Sequence, residues 1–399
     1  MRLTARILLA GAVFLLVVAA LSTVIPAPTR TLLPLSVGAP ELSPILLLVA
    51  GAVIILSPLA GKRMKRVLVI LAVASGLGLT RPLVEAFQIG RTLDARLIEG
   101  LRLGPPTVGE NTGSMREDTG SMREAPLRLW DAVRGVAITP EPLVADDVFA
   151  SPGGVALTVR SYRPASGANH PIVVQIYGGA WQRGAPADDP HLARYLAAHG
   201  YLVYAVDYRH APAWHWPAQL DDLRLAMTWI EAHASAHAGD ASHIAVLGRS
   251  AGAHLALMAA YSGLSSSIRG VVSLYGPVDL LRGYDEVPRP DPIGVRATLE
   301  ALMGGPPLRM EEAYRQASPI TFARRPQPPT LQITGARDHV VLPVFPASLD
   351  AALRQAGNRA VLIELPWADH AFDAIPSGPS AQIAIYAIER FLAETLGKR

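Results

Sequence analysis

The chain has 399 residues, of which half are hydrophobic, 17% are charged and none is cysteine. The missing thiols exclude disulfides, thiol nucleophiles and cysteine-ligated metals. The formal net charge of +3, without a basic stripe interleaved with aromatics, gives no reason to invoke nucleic acid. So much apolar sequence at so low a charge points to one large folded domain with an appendage in lipid.

Residues 7–25 form an apolar run long enough to cross a bilayer, preceded by Arg2 and Arg6. Alone, this run also suits a cleaved signal peptide, with Ala19 and Ala20 near the cleavage site. Two further apolar runs, 45–61 and 67–80, favour a membrane anchor of two or three helices within residues 1–104. The third run is short enough to be a buried or re-entrant helix instead. Lys62, Arg63, Lys65 and Arg66 lie between the second and third runs, whereas the first loop offers only Arg30. Positive charge stays in the cytoplasm, so three crossings put the large domain on the extracytoplasmic side and two leave it inside. Residues 83–103 alternate apolar positions with Arg91, Asp94, Arg96 and Glu99, as an amphipathic helix at a membrane surface does. Residues 105–125 read as a flexible linker. Within them Thr112-Gly113-Ser114-Met115-Arg116-Glu117 recurs almost at once from Thr119 to Glu124, a Gly-containing repeat too short to bury a core. Few contacts are expected to cross it.

Residues 126–399 change pattern. Short β-branched runs at 155–160, 172–177, 202–206, 244–247, 271–274, 330–334 and 361–365 alternate with helical stretches at 192–199, 219–233, 251–261 and 344–355. Continuous apolar strands separated by helices predict an α/β fold, a mostly parallel doubly wound sheet with helices on both faces. The Ser151-Pro152-Gly153-Gly154 turn predicts an antiparallel hairpin at one edge. In such sheets ligands bind at the carboxyl ends of the strands.

The chemistry stands at those ends. Gly248-Arg249-Ser250-Ala251-Gly252 follows the strand at 244–247 and opens an apolar helix. This is G-x-S-x-G in its strand-to-helix context, with Ser250 as nucleophile. Tyr177-Gly178-Gly179-Ala180-Trp181 follows an earlier strand, where the N–H groups of Gly179 and Ala180, with that of Ala251, can face a developing alkoxide. A serine hydroxyl needs a base and the base an orienting acid. His370 and Asp338 follow the last two strands in the chain order Ser, Asp, His. Asp279 and Asp369 are the competing acids. The latter is adjacent to the histidine and would have to fold back on its own backbone.

In these segments residues 140–395 resemble the α/β-hydrolase superfamily, within its hormone-sensitive-lipase-like and feruloyl-esterase-like carboxylesterases. The resemblance rests on Asp207-Tyr208-Arg209-His210-Ala211-Pro212 with Asp222, the Ser250 pentapeptide, Tyr275-Gly276-Pro277, Ser318-Pro319 and the Asp338 and His370 segments. Two positions depart from it: Tyr177 replaces a histidine, and Ala180 stands where many members carry a third glycine. Neither removes a backbone donor. The resemblance implies an α/β-hydrolase fold and a serine carboxylesterase acting on small or lipid-derived esters, with no cofactor or metal.

Other residues carry weaker signals. Tyr177, Trp181 and Trp214 are candidates for lining the substrate cleft. His210, Trp214, His215 and Trp216 form an aromatic loop that suits either the cleft or simple packing. His233 and His237 are helix neighbours without an evident third metal ligand, and His254, a turn after Ser250, is expected beneath the elbow. Residues 280–329 exceed an ordinary connection and predict a small cap. The alternatives are a peptidase of the prolyl-oligopeptidase type, disfavoured because no propeller precedes the catalytic part, and a catalytically silent membrane-tethered binding module.

Overall fold

The computed structural model describes residues 2–102 and 122–397. The expected linker falls largely outside them, including the first copy of the repeat.

Four helices precede it: α1 (Arg2–Ser22), α2 (Leu33–Glu41), α3 (Ser43–Leu56) and α4 (Lys62–Leu101). Leu9, Val13 and Leu16 of α1 pack with Ala50 and Val53 of α3 and with Leu68, Ala72 and Leu79 of α4. The outer faces of the three carry exposed Ile7, Phe14, Leu48, Ile55, Ile70 and Leu77. Segments Leu3–Ser22, Ser43–Ala60 and Lys62–Leu101 are each long and apolar enough to cross a membrane. At one end of the bundle the Arg6 guanidinium donates to the Ala60 carbonyl at 2.9 Å, joining the start of α1 to the turn between α3 and α4. At the other end Arg337 donates to the Ser22 carbonyl at 3.4 Å.

The structure departs from expectation at α4. The third apolar run and the amphipathic stretch are one helix of 40 residues, about 60 Å long at 1.5 Å per residue. Its second half does not offer its apolar face to lipid. Ala86, Ile89, Leu93, Leu97 and Leu101 share a core cluster with Val361, Ile363, Ile383 and Ile388 of the large domain. A Cβ added at Gly100 would stand 2.5 Å from the Ala360 carbonyl, so close is the backbone approach. The Tyr386 hydroxyl donates to Asp94 at 3.0 Å. Contacts therefore join the N-terminal helices to the large domain in quantity. Amphipathic periodicity says that one face is apolar, not which apolar surface covers it.

The large domain opens with a short helix, α5 (Leu129–Arg134), and is built on eight strands: β1 (Leu143–Ala150), β2 (Leu157–Arg163), β3 (His170–Ile176), β4 (Leu202–Val206), β5 (Gly239–Arg249), β6 (Ile268–Leu274), β7 (Thr330–Gly335) and β8 (Ala360–Leu365). They form one sheet in the order β1-β2-β4-β3-β5-β6-β7-β8. β1 pairs antiparallel with β2, the expected edge hairpin, and β2 antiparallel with β4. The strands from β4 to β8 run parallel.

Alternation along the strands separates two cores. In β4, Leu202, Tyr204 and Val206 face α7 (Ala218–His233) and α8 (Ala251–Tyr261), while Val203 and Ala205 face α6 (Pro190–Ala198) and α13 (Pro379–Leu396). Residues 280–329 fold into α9 (Leu280–Asp285), α10 (Val295–Met303) and α11 (Pro307–Gln316), and α12 (Val344–Gln355) completes the α7–α8 face.

A candidate active site at the strand ends

Ser250 is the residue between β5 and α8, held at φ 51° and ψ −120°. A non-glycine residue adopts this backbone only where its surroundings impose it. Here the imposition comes from crowding between strand and helix. A Cβ on Gly248 would collide with the Gly252 carbonyl, and one on Gly252 with the carbonyls of Ile176 and Tyr177. Only glycine fits at either position, and the turn lifts the serine hydroxyl out of the sheet.

His370 reaches it from the loop after β8. Its Nε2 lies 2.9 Å from Ser250 Oγ, and its Nδ1 lies 2.8 Å from Asp338 Oδ2. Donation from Nδ1–H to the carboxylate leaves Nε2 free to accept the serine proton. Asp338 is buried, and its second oxygen accepts the Val340 and Val341 N–H groups at 2.9 and 2.8 Å. Tyr275 sets its ring edge-on to the His370 ring, centroids 4.7 Å apart.

The competing acids have other partners. Asp279 caps α9, accepting the Arg282 N–H at 3.0 Å. Asp369 does turn back on its own backbone, accepting the His370 N–H at 2.7 Å, and it also pairs with His339 at 2.8 Å. Burial pushes the Asp369 carboxyl up, but hydrogen bonds from His339 and Ser36 outweigh it and leave it below its ordinary value.

The glycine loop after β3 lies against the elbow: a Cβ on Gly178 would come 3.3 Å from that of Ser250. Gly179, Ala180 and Trp181 all have positive φ, at 124°, 57° and 59°. Among the described residues no protein acceptor takes the N–H of Gly179, Ala180 or Ala251. Ala180, Ala251 and Ser250 adjoin a pocket of about 550 Å³. Trp181, Leu280, Val295, Leu299, Val341 and Phe345 give it apolar walls, with Asp279 and Glu286 as acidic members. Half of the wall comes from α9, α10 and the turn between them, so the segment expected to cap the site does border it.

Of the aromatic candidates, the structure brings Trp181 to this pocket and sends two elsewhere. Tyr177 is buried, and its hydroxyl donates to Asp207 at 2.5 Å and lies 2.9 Å from His210 Nε2. It anchors the glycine loop and does not line the pocket. Trp214 packs over Gly153 and under the Arg209 guanidinium, 4.6 Å from its ring centroid. His215 meets the Ala301 carbonyl at 2.9 Å, and Trp216 stacks edge-on to His254 at 5.7 Å. The aromatic loop is therefore packing. His254 sits beneath the elbow, accepting the Trp181 indole N–H at 3.2 Å and donating to the Ala317 carbonyl at 2.7 Å. Burial brings its pKa down to about 4. His233 stacks on Trp229, and His237 lies 2.8 Å from the Tyr204 hydroxyl.

One pair was not legible in the sequence. Arg249, inside the pentapeptide, turns away from the pocket to an ion pair with Asp373, both side chains about nine-tenths buried. An arginine in a G-x-S-x-G turn is the only sequence signal, and nothing local names its partner.

Strand order, elbow and site together define an α/β-hydrolase. The comparisons agree. The BD-FAE family pattern matches residues 161–353. Probable carboxylic ester hydrolase LipM of Mycobacterium tuberculosis is 30% identical over 358 residues, covering 82% of this chain and 77% of LipM. That coverage exceeds what the large domain alone supplies, so the likeness reaches at least into α4. Esterase LipC of the same organism is 34% identical over 56% of this chain and 58% of its own. Among solved structures, the hyperthermophilic esterase of the archaeon Pyrobaculum calidifontis is 27% identical, with a TM-score of 0.57, covering 64% of this chain and 87% of that one. The chain belongs to the α/β-hydrolase carboxylesterases, and it is a carboxylic ester hydrolase.

Proposed function

We propose that the enzyme works through an acyl-enzyme on Ser250. The observation that carries this reading is the unbroken chain from Asp338 through His370 to Ser250, with contacts of 2.8 and 2.9 Å, beside an apolar pocket. His370 Nε2 takes the hydroxyl proton as Oγ attacks the ester carbonyl, and the N–H groups of Gly179, Ala180 and Ala251 meet the oxyanion. Collapse of the tetrahedral intermediate expels the alkoxide, which leaves with the proton held by His370. Water then repeats the sequence on the acyl-enzyme and frees the carboxylic acid. Asp338 keeps the imidazole in the required tautomer. The apolar walls favour a hydrocarbon acyl or alcohol group, whether from a small ester or a lipid. A fluorophosphonate probe, with hydrolysis of p-nitrophenyl esters of increasing chain length, tests the reading. Wild-type labelling of a Ser250→Ala variant would sink it.

We further propose that α1, α3 and the first half of α4 anchor the enzyme in a membrane, with the catalytic domain on the extracytoplasmic side. Arg6 meets the α3–α4 turn, which runs straight into Lys62, Arg63, Lys65 and Arg66. Positive charge thus gathers at the end of the bundle opposite the hydrolase domain, and basic ends remain in the cytoplasm. The chain lacks cysteine, so single cysteines report cleanly. In intact cells a membrane-impermeant maleimide should label Ser166→Cys and leave Lys65→Cys unlabelled. The opposite pattern would put catalysis inside.

A further inference from the structure

The connection between the first two apolar helices is not a surface loop. α2 is inserted against the segment that runs from β8 through His370 to the start of α13. Ser36 is buried, and its hydroxyl donates to Asp369 Oδ2. The other oxygen of that carboxylate receives the N–H of His370 at 2.7 Å and the His339 ring at 2.8 Å. At the end of α2, Glu41 is buried too. It accepts the Ser380 N–H at 2.9 Å and the Ser380 hydroxyl at 2.5 Å, and that hydroxyl in turn accepts the Trp367 indole N–H at 2.8 Å. A Cβ on Gly38 would be 3.7 Å from Ile375, and one on Gly378 would collide with Glu41. Along residues 367–380, then, α2 engages the chain on both sides of His370 and in between.

We propose that Ser36 and Glu41 are positioning residues for His370, so that the N-terminal helices complete the active site as well as anchoring it. The inference rests on His370 being the catalytic base. Its imidazole has to meet Ser250 and Asp338 at once, and its backbone is fixed by Asp369, whose free oxygen Ser36 occupies. Removing Ser36 lets Asp369 swing with the His370 amide; removing Glu41 frees Trp367 and Ser380 at the two ends of the loop. Burial raises the Glu41 carboxyl to about 8, and glutamine matches its shape without a charge: the amide oxygen can keep the Ser380 N–H bond while the amide N–H donates to the Ser380 hydroxyl instead of accepting from it.

Full-length enzyme in detergent tests this. A misplacement of the base on the order of 1 Å costs about 100-fold in rate, so Ser36→Ala and Glu41→Ala should each lower kcat about 10- to 100-fold. KM for a short p-nitrophenyl ester should stay within about twofold, because neither residue touches the pocket. Glu41→Gln should recover most of the lost kcat, which keeps the inference testable if an alanine variant folds poorly. Wild-type kcat in folded Ser36→Ala and Glu41→Ala would overturn it, and so would a Glu41→Gln variant as slow as Glu41→Ala. Ser250→Ala in parallel separates the two readings. If it is inert while the α2 variants are fully active, only this inference fails; if it remains active, the triad reading fails first.

Discussion

Arg249 Nε lies 2.5 Å from Asp373 Oδ2, which ties the residue before Ser250 to the loop that carries His370. The Tyr275 hydroxyl donates to the other oxygen of Asp373, and the Tyr275 ring borders His370. Elbow, histidine loop and the end of β6 are thus fastened to one buried carboxylate behind the site.

The first prediction follows from that burial. Removing one member of a buried ion pair strands the other and costs about 3 to 5 kcal/mol. Arg249→Met should lower the unfolding free energy measured by denaturant titration by that scale, and the Arg249→Met/Asp373→Asn double variant should be more stable than Arg249→Met alone. Losses in Arg249→Met and Asp373→Asn that simply add up to the loss in the double variant would mean that the pair carries no coupling.

Catalysis gives the second. Ser250→Ala and His370→Ala should each reduce kcat by a factor on the order of 10⁴ to 10⁶, with unfolding midpoints close to wild type. Turnover by purified, folded Ser250→Ala within tenfold of wild type would contradict the proposed mechanism.

The third ranks the acids. Asp338→Asn keeps the shape but offers His370 Nδ1 the wrong partner, a change that costs about 10⁴ in kcat in a comparable triad. Asp279→Asn alters a helix cap at the pocket and should cost far less. Steady-state kinetics of the two variants decide, and the reverse order would move the orienting role to Asp279.

The fourth concerns acid. His254 titrates at about 4 in the folded protein, against an ordinary 6.5. Between those values the unfolded chain binds more protons, so stability is intact above about pH 6.5 and falls as the pH drops towards 4. The full difference is about 3 kcal/mol. Urea midpoints measured from pH 7 to 4 should decline, and His254→Gln, which does not titrate, should flatten part of that slope. An unchanged slope in the variant would show that other groups govern the acid limb.

Legibility in the sequence tracked the distance over which each feature is determined. The elbow around Ser250 was readable because its cause is local: glycines at 248 and 252, a strand before and a helix after. Asp338 and His370 were readable because strand ends of a parallel sheet converge at one edge, so position along the chain nearly fixes position in space. The same logic supplied the edge hairpin and the cap. It failed for Tyr177 and Trp214, since an aromatic beside a loop glycine can turn either to substrate or to the core. Only the packed structure turned Tyr177 to Asp207 and Trp214 to Gly153.

The N-terminal third divides along the same line. Its sequence alone determined three apolar stretches, the first of membrane-crossing length, and a basic turn between the last two, because hydrophobicity and charge are properties of composition. Tertiary structure decided that α4 runs on unbroken to cover β8 and α13, and that Ser36 and Glu41 reach Asp369 and Ser380 more than three hundred residues away. Such contacts have no sequence signature. A short helix with a buried serine and glutamate reads as an ordinary loop until the surface that receives it has been folded.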